Sequence, residues 1–559
     1  MNRSDHDDVN SDSWPQNHRL HRQIGLVDQP RLEAITVALK GDSHLILSAI
    51  IQLQQMHACT RPSGGKVHLD IDSGAPLDWS LGRWCLHLPE QVSTWGDLRD
   101  HLAAINGPDL CFGTGDVGTT IRFSEGVSEQ SVGAADLHYT LWDGRAMASA
   151  KPARFSELWP SRPTCIDESL RIAIGAHAAQ MLLEMEGLIR KPAIQDQWLT
   201  QTLRVEGLEP DEAIRVIRSE YGNPTATRLP DGSGSLVRIR IPLEDTPPEM
   251  LRGIGTSCHL PNKPEQDWYE SIGPLRFTMS EGEILPTEPA SIPPERIEKA
   301  DIVVLGVGGL GSWATPCLIQ GISHQGIHLS LVDSDMKVDA HNLNRQVLYS
   351  ENHVGQPKAS AAAMRLAQLS IHPSSLTAIH DRLGEEHIRM LETPDLPPTD
   401  EGDVDLSELV GTSSVIDRKP LLDALERMDI ALACLDNQFA RTILNRACKH
   451  RHVVMVNGGG ETFEGIVETF GDEVCMECRY GMQEALSKER ISCQEVGTRP
   501  VASIVTTTAW VGAMQAAYTL LLLCEIRTDS QRRTGLRWSH GNVAPIKVVS
   551  LPWKFDHCQ

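Results

Sequence analysis

The stretch that decides the fold is Ala300–Lys358, ADIVVLGVGGLGSWATPCLIQGISHQGIHLSLVDSDMKVDAHNLNRQVLYSENHVGQPK. Ile302 to Leu305 is a short, unbroken apolar run, as expected of a strand buried on both faces of a parallel sheet. Gly306, Gly308, Gly309 and Gly311 follow at once. Glycine there lets the backbone turn sharply and approach a phosphate, while the amides opening the next helix supply donors and a positive dipole end. Val332-Asp333 closes a second apolar strand roughly 20 residues on, where a carboxylate can take a ribose hydroxyl. The outline is a nucleotide site on an α/β sheet.

A G-x-G-x-x-G alone would suggest a nicotinamide oxidoreductase. The residues after the carboxylate argue otherwise. Asp333-Ser334-Asp335 runs into Asn342-Leu343-Asn344-Arg345-Gln346 and then Gly355-Gln356-Pro357-Lys358, placing polar donors and cations where a nicotinamide needs apolar room. Arg345 and Lys358 suit a triphosphate, since a planar fork and a point charge together neutralise several oxygens. The order glycine loop, D-x-D, N-L-N-R-Q, G-x-x-K resembles the adenylation domains of the ThiF and ubiquitin-activating superfamily. That resemblance implies ATP and Mg²⁺, with Gly306, Gly308, Gly309, Gly311, Asp333, Asp335, Asn342, Asn344, Gln346 and Asn437 around the nucleotide.

The chain of 559 residues is 40% hydrophobic, enough for several cores. Its 51 Lys and Arg stand against 74 Asp and Glu, and a formal charge of −23 argues against a surface that coats nucleic acid. Thirteen cysteines, mostly scattered, indicate a reducing compartment and a cytoplasmic protein. The polar start, MNRSDHDDVNSDSWPQ, carries no apolar leader segment. The apolar run Ala509 to Ile526 is interrupted by Gly512, Gln515, Tyr518 and Thr519, so a buried core helix is expected, with no membrane partner.

Residues 1–18 are expected to be disordered. Arg19 to Leu26, RLHRQIGL, resembles the segment that opens adenylation domains of the superfamily, with Leu20 where Tyr is usual. There the second arginine, here Arg22, reaches the ATP phosphates of the other half; otherwise it is a surface arginine. Ile35–Gly41, Leu45–Met56 and Val67–Asp72 then repeat the strand, helix, strand order of 301–335 without its glycine loop. Ile172–Gln180 echoes Val511–Ala517, each opening a long apolar helix. The reading is an internal repeat: two Rossmann-like, adenylation-type α/β domains, the first degenerate at 19–190 and the second intact at 296–559. Between them 191–295 is a Pro-rich linker with a small α+β insert, including a helix over Asp211–Tyr221 and a strand over Ser235–Ile241.

In the second domain Val410–Ile416 is a candidate strand, and Asp429–Leu435 a firmer one leading to Asp436-Asn437. A carboxylate at a strand's carboxyl end is where α/β sheets meet ligands, and the resemblance makes Asp436 the Mg²⁺ ligand; capping the helix Gln438–Lys449 is its competing role. Cys475 and Cys478 form a C-x-x-C that can offer two thiolates to zinc. The superfamily's second pair is missing, leaving Cys558 and perhaps His557. Cys493 lies in the polar segment ISCQEVGTRP near Arg490 and Arg499, within a crossover loop at about 479–505, an electropositive setting suited to a reactive thiol.

The resemblance implies adenylation of the C-terminal glycine of a ubiquitin-like, β-grasp protein, thioester capture on Cys493 and transfer to a ubiquitin-conjugating-type enzyme, as in bacterial conjugation systems. The catalytic set is Cys493, Asp436, Arg345, Lys358 and Arg22. The alternatives are a sulfur-carrier adenylyltransferase that stops at the acyl-adenylate, or a nucleotide-binding scaffold. Either a pseudo-dimeric monomer or a homodimer would bring Arg22 to the site.

Overall fold

The computed structural model describes residues 20, 23, 26–113, 118–126, 135–152, 162–192, 198–216, 225–228, 234–242, 256–258, 263–277, 279–280, 283–284, 299–322, 326–369, 375–392, 418–471, 474–480, 503–524 and 534–548. Chain contacts group them into two units. One holds Pro30–Leu182 and the chain from Lys263 on; the other holds Leu183–Asn262 with Gln23–Gln29.

The first unit contains two sheets with matching topology. After α1 (Gln29–Ala34), the first sheet takes β1 (Thr36–Gly41), β2 (Lys66–Leu69), β3 (Leu110–Phe112), β4 (Thr119–Glu125), β5 (Leu137–Trp142) and β6 (Arg145–Ser149). Among these strands lie α2 (Ser43–Met56), α3 (Ser80–Cys85) and α4 (Trp95–Ala104), and α5 (Asp167–Met185) follows. Strands β3-β2-β1-β4-β5 run parallel in that spatial order, and β6 then turns back antiparallel. Every residue of β5 is buried, as a parallel strand covered on both faces requires.

The smaller unit is α+β. It holds β7 (Arg190–Pro192) paired with β11 (Thr256–Cys258), and a three-stranded antiparallel sheet of β8 (Trp198–Glu206), β10 (Gly234–Pro242) and β9 (Thr225–Arg228). Its helix α6 covers Pro210–Val216, the remainder of the expected stretch to Tyr221 lying outside the described residues, and Ala213 and Val237 form its small core. Residues Tyr269–Ser271, expected inside the 191–295 insert, are instead β12, the edge strand of the first sheet beside β6. Three residues carry too little periodicity to announce a strand; backbone pairing with Met147–Ser149 creates it. A hairpin, β13 (Met279–Ser280) with β14 (Glu283–Ile284), follows.

The second sheet repeats the plan. It is built from β15 (Ala300–Leu305), β16 (Ile327–Val332), β17 (Leu376–Ile379), β18 (Ile430–Ala433), β19 (Val454–Glu461), β20 (Glu464–Phe470), β21 (Thr534–Ser539) and β22 (Asn542–Lys547). Strands β17-β16-β15-β18-β19 are parallel, and β20, β21 and β22 add on antiparallel. Its helices are α7 (Gly311–Gly321), α8 (Lys358–Leu366), α9 (Glu385–Glu392), α10 (Lys419–Arg427), α11 (Gln438–His450), α12 (Met476–Tyr480) and α13 (Val505–Leu523). The sheets correspond strand for strand from β1 to β6 and β15 to β20. Each is crossed by a 19-residue helix, α5 or α13.

Those two helices cross their partners at glycines in echoing positions. A Cβ on Gly175 of α5 would overlap the Ser48 backbone of α2, and one on Gly512 of α13 would lie 2.5 Å from the Leu310 carbonyl that opens α7. Close helix approach, not flexibility, explains both glycines. The apolar run from Ala509 to Leu521 is therefore core, and among the described residues no helix is long and apolar enough to cross a membrane. Residues 1–18 and the candidate strand Val410–Ile416 lie outside the described residues.

Candidate nucleotide site

The site lies at the carboxyl ends of β15, β16 and β18, where strand order reverses about β15. The chain leaves β15 at Gly306 with φ 88°, and a Cβ there would sit 2.5 Å from the Cys434 carbonyl at the end of β18. Gly311 is tighter still: its Cβ would lie 2.0 Å from the Gly306 carbonyl. These two glycines close the turn. Helix α7 then starts at Gly311 behind Leu310, with no side chain capping its first amides. Ser312 N and Trp313 N donate to the Gly308 and Leu310 carbonyls at 3.0 Å each, so donors for a ligand would come from the glycine loop ahead of the helix.

Asp333 ends β16 and braces this loop. One carboxylate oxygen accepts from Val307 N at 2.9 Å, the other from Asp335 N at 2.9 Å. Burial pushes its carboxyl above the usual range, opposed by the Lys358 cation and those two amides. Tyr349 ties the loop to α8, donating its hydroxyl to the carbonyls of Val307 at 2.9 Å and Lys358 at 3.3 Å. Lys358 is the first residue of α8; its almost wholly buried ammonium pairs with Asp335.

Arg345 is held by its Nη1, which donates to the His341 carbonyl at 2.9 Å and to Asn344 Oδ1 at 3.0 Å, while Trp313 Nε1 donates to the Arg345 carbonyl at 2.8 Å. Beneath it Gln346 Nε2 donates to Asn342 Oδ1 at 3.1 Å. Three buried amide atoms in this turn, Asn342 Nδ2, Asn344 Nδ2 and Gln346 Oε1, have no hydrogen-bond partner among the described residues. Buried polar atoms of this sort are costly unless something else satisfies them. A polyanionic ligand and its water fit that need.

A cleft of about 1160 Å³ gathers the set. Gly306, Gly308, Gly309, Asp333, Asp335, Arg345, Gln346, Lys358, Asp436 and Asn437 all line it. Gly311, Asn342 and Asn344 are not among its walls; they shape the turn from beneath. Asp436 is exposed on the loop after β18. The helix cap expected as its competing role belongs instead to Asn437, whose Oδ1 accepts from Ala440 N at 2.7 Å. Asp436 is thereby left to face the cleft. Arg22, Cys493 and Cys558 lie outside the described residues.

Sequence reading missed several walls. Arg441, buried on α11, reaches the Leu435 carbonyl and Asn457 Oδ1, and burial lowers its pKa despite the nearby Asp436. A single arginine one turn into a helix belongs to no spacing pattern, so no signal could have singled it out. Asp381 and Arg382 follow β17, and the rule that ligands meet strand carboxyl ends could have found them. Asp381 Oδ2 lies 3.1 Å from the buried His387 Nε2.

Cys475 and Cys478 are buried at the start of α12, where Asn445 Nδ2 donates to Cys475 Sγ at 3.2 Å. Among the described residues, however, the grouping of three metal-capable side chains is in the first half: Asp42, His44 and Glu125, their atoms within 4.8 Å of one another. Its acids already have partners, helix amides for Asp42 and Arg171 for Glu125.

Residues 290–554 match the ThiF family. The molybdopterin-synthase adenylyltransferase of Salmonella typhimurium is 28% identical over 234 residues, 41% of this chain and 75% of that protein. The sulfur carrier protein ThiS adenylyltransferase of Escherichia coli is 23% identical over 239 residues, 42% and 77% of the two chains. Among solved structures, that of E. coli MccB with ATP aligns at TM-score 0.31 and 18% identity, covering 47% of this chain and 67% of the other.

Proposed function

We propose, from the premise that residues 290–554 are a ThiF-family domain, that this chain uses ATP to adenylate the carboxyl terminus of a small carrier protein of the β-grasp kind. The observation that carries the reading is the convergence on one cleft of a glycine turn, Asp333, Arg345 and Lys358, above a turn with unpaired buried amides. A carboxylate oxygen of the carrier tail attacks the α-phosphorus. The bond from that phosphorus to the bridging oxygen breaks, and pyrophosphate leaves with its electron pair. Such an in-line displacement needs positioning and charge neutralisation more than acid–base chemistry, which matches a wall of amides and cations.

In this scheme the loop amides at Gly306–Gly311 face the phosphates and Asp333 accepts a ribose hydroxyl. Arg345 and Lys358 neutralise the triphosphate, Lys358 exchanging Asp335 for a phosphate oxygen. Asp436 would hold Mg²⁺, which supplies further neutralisation of phosphate charge. The names of the relatives, adenylyltransferases for molybdopterin synthase and for ThiS, support a carrier-protein substrate. They also favour an enzyme that stops at the acyl-adenylate.

The sequence favours a second step. A paired degenerate half and Cys493 in a polar crossover segment fit thioester capture followed by transfer to a conjugating-type enzyme. ATP–pyrophosphate exchange with small β-grasp proteins ending in glycine tests both. Exchange should be lost in Asp436→Ala. A thiol-sensitive conjugate on a non-reducing gel, lost in Cys493→Ala while exchange survives, supports the thioester. Exchange without any conjugate limits the enzyme to adenylation, and absence of exchange with every partner overturns the proposal.

A further inference from the structure

The degenerate half touches the two segments that carry the nucleotide cations. Helix α3 ends at Cys85, and the chain then turns through His87 in the left-handed region, φ 54°, a conformation a side-chain-bearing residue rarely adopts without support. His87 Nε2 lies 3.0 Å from the Val347 carbonyl, two residues beyond Arg345. Since a carbonyl only accepts, that nitrogen carries the proton. Three residues earlier, Trp84 Nε1 donates to the Arg365 carbonyl at 3.2 Å, and the Arg365 guanidinium donates back to the Trp84 carbonyl. The same guanidinium lies 4.4 Å from the Trp84 ring centre. Arg365 belongs to α8, the helix whose first residue is Lys358.

One short turn of the first half thus grips Val347, downstream of Arg345, and the far end of the Lys358 helix. The Trp84–Arg365 grip is desolvated, each residue being 7% exposed, and the His87 grip is half-buried against a fully buried Val347. Hydrogen bonds made in such surroundings hold geometry more strictly than exposed ones. Burial also lowers the Arg365 pKa to about 10, opposed by the nearby Cys85 thiol.

We infer that His87 and Trp84 are positioning residues for the nucleotide site: the first half, itself without a nucleotide loop, holds Arg345 and Lys358 in register for the phosphates. They act through Val347 and Arg365 and do not touch ligand. The inference rests on the nucleotide reading above, and its test separates the two. The probe is fluorescent mant-ATP with Mg²⁺, titrated into the full chain, with Tm recorded for every variant.

Failure of the wild-type chain to bind mant-ATP would overturn the nucleotide reading itself. Given binding, His87→Ala should weaken affinity about five- to tenfold, the loss of one half-buried hydrogen bond. His87→Gln, whose amide nitrogen reaches the place of Nε2, should restore it to within about twofold. Trp84→Phe, which keeps a ring under Arg365 but loses the indole donor, should weaken binding less than His87→Ala. Unchanged affinity in His87→Ala overturns the inference. So does a loss that His87→Gln leaves unrepaired and that tracks the fall in Tm across the three variants, because that pattern marks a purely structural contact.

Discussion

The two strand-to-helix turns of the repeat, one after β1 and one after β15, begin alike and end differently. Both leave the strand at a glycine with positive φ, Gly41 at 103° and Gly306 at 88°, each pressed against a carbonyl of the neighbouring strand. Both are braced by a carboxylate after the second strand: Gly41 N donates to Asp70 Oδ1 at 3.0 Å as Val307 N does to Asp333 Oδ2 at 2.9 Å. Then they part. In the first half Asp42 follows at once, and its carboxylate accepts the amides of His44 and Leu45 at the head of α2. In the second half the glycine run continues to Gly311 and α7 opens on uncapped amides. One helix carries its anion in its own chain; the other has no side-chain cap, while the strand order around the two turns is the same.

The sharpest way to break this comparison is to put a methyl group on each glycine. Gly306→Ala should reduce mant-ATP affinity by about a hundredfold or more and also destabilise the domain. Gly41→Ala, equally strained, should lower Tm by about 5 °C or more with nucleotide affinity unchanged. Equal loss of affinity in both, read by titration, would show that the halves share one site. Next in size are the bracing carboxylates. Asp333→Ala should weaken nucleotide binding on the order of tenfold to a hundredfold, whereas Asp70→Ala, at an exposed position, should leave affinity unchanged and move Tm by no more than about 2 °C.

The smallest effect distinguishes the equivalent helices α5 and α13. The first turn of α5 carries Asp167, whose carboxyl burial lifts from 3.8 to about 6 against the Thr164 donors and Arg171; the first turn of α13 has no acid. A raised carboxyl pKa binds its proton more tightly in the folded state. Its contribution to stability is therefore full below pH 3.8 and is lost as pH rises through 6. Asp167→Asn should shift Tm upward relative to wild type at pH 7, by about 1–3 °C, and that difference should shrink toward zero near pH 4. A pH-independent difference in thermal melts would place the effect in packing.

Much of the second half was legible because its motifs are local. Each of the residues in G-x-G-x-x-G, D-x-D, N-L-N-R-Q and G-x-x-K is fixed to a turn or helix start within a few positions, so spacing along the chain maps onto spacing in space. The role of Asp436 was half legible: its neighbour Asn437 took the cap, a choice between adjacent residues that backbone geometry makes and composition does not. Arg441, His87 and Trp84 were illegible. Their partners are carbonyl oxygens, present at every residue and therefore silent in any pattern.

The sequence by itself determined that the chain contains a glycine-rich turn on an α/β sheet, the cations Arg345 and Lys358 after it, and a second copy of the plan without that glycine run, because these depend on local periodicity and on glycine's freedom from a Cβ. Only the tertiary structure decided that Tyr269–Ser271 completes the first sheet, that the two copies match strand for strand, and that α3 of one grips the cation-bearing segments of the other. Those are contacts between residues more than a hundred positions apart, set by which surfaces bury together.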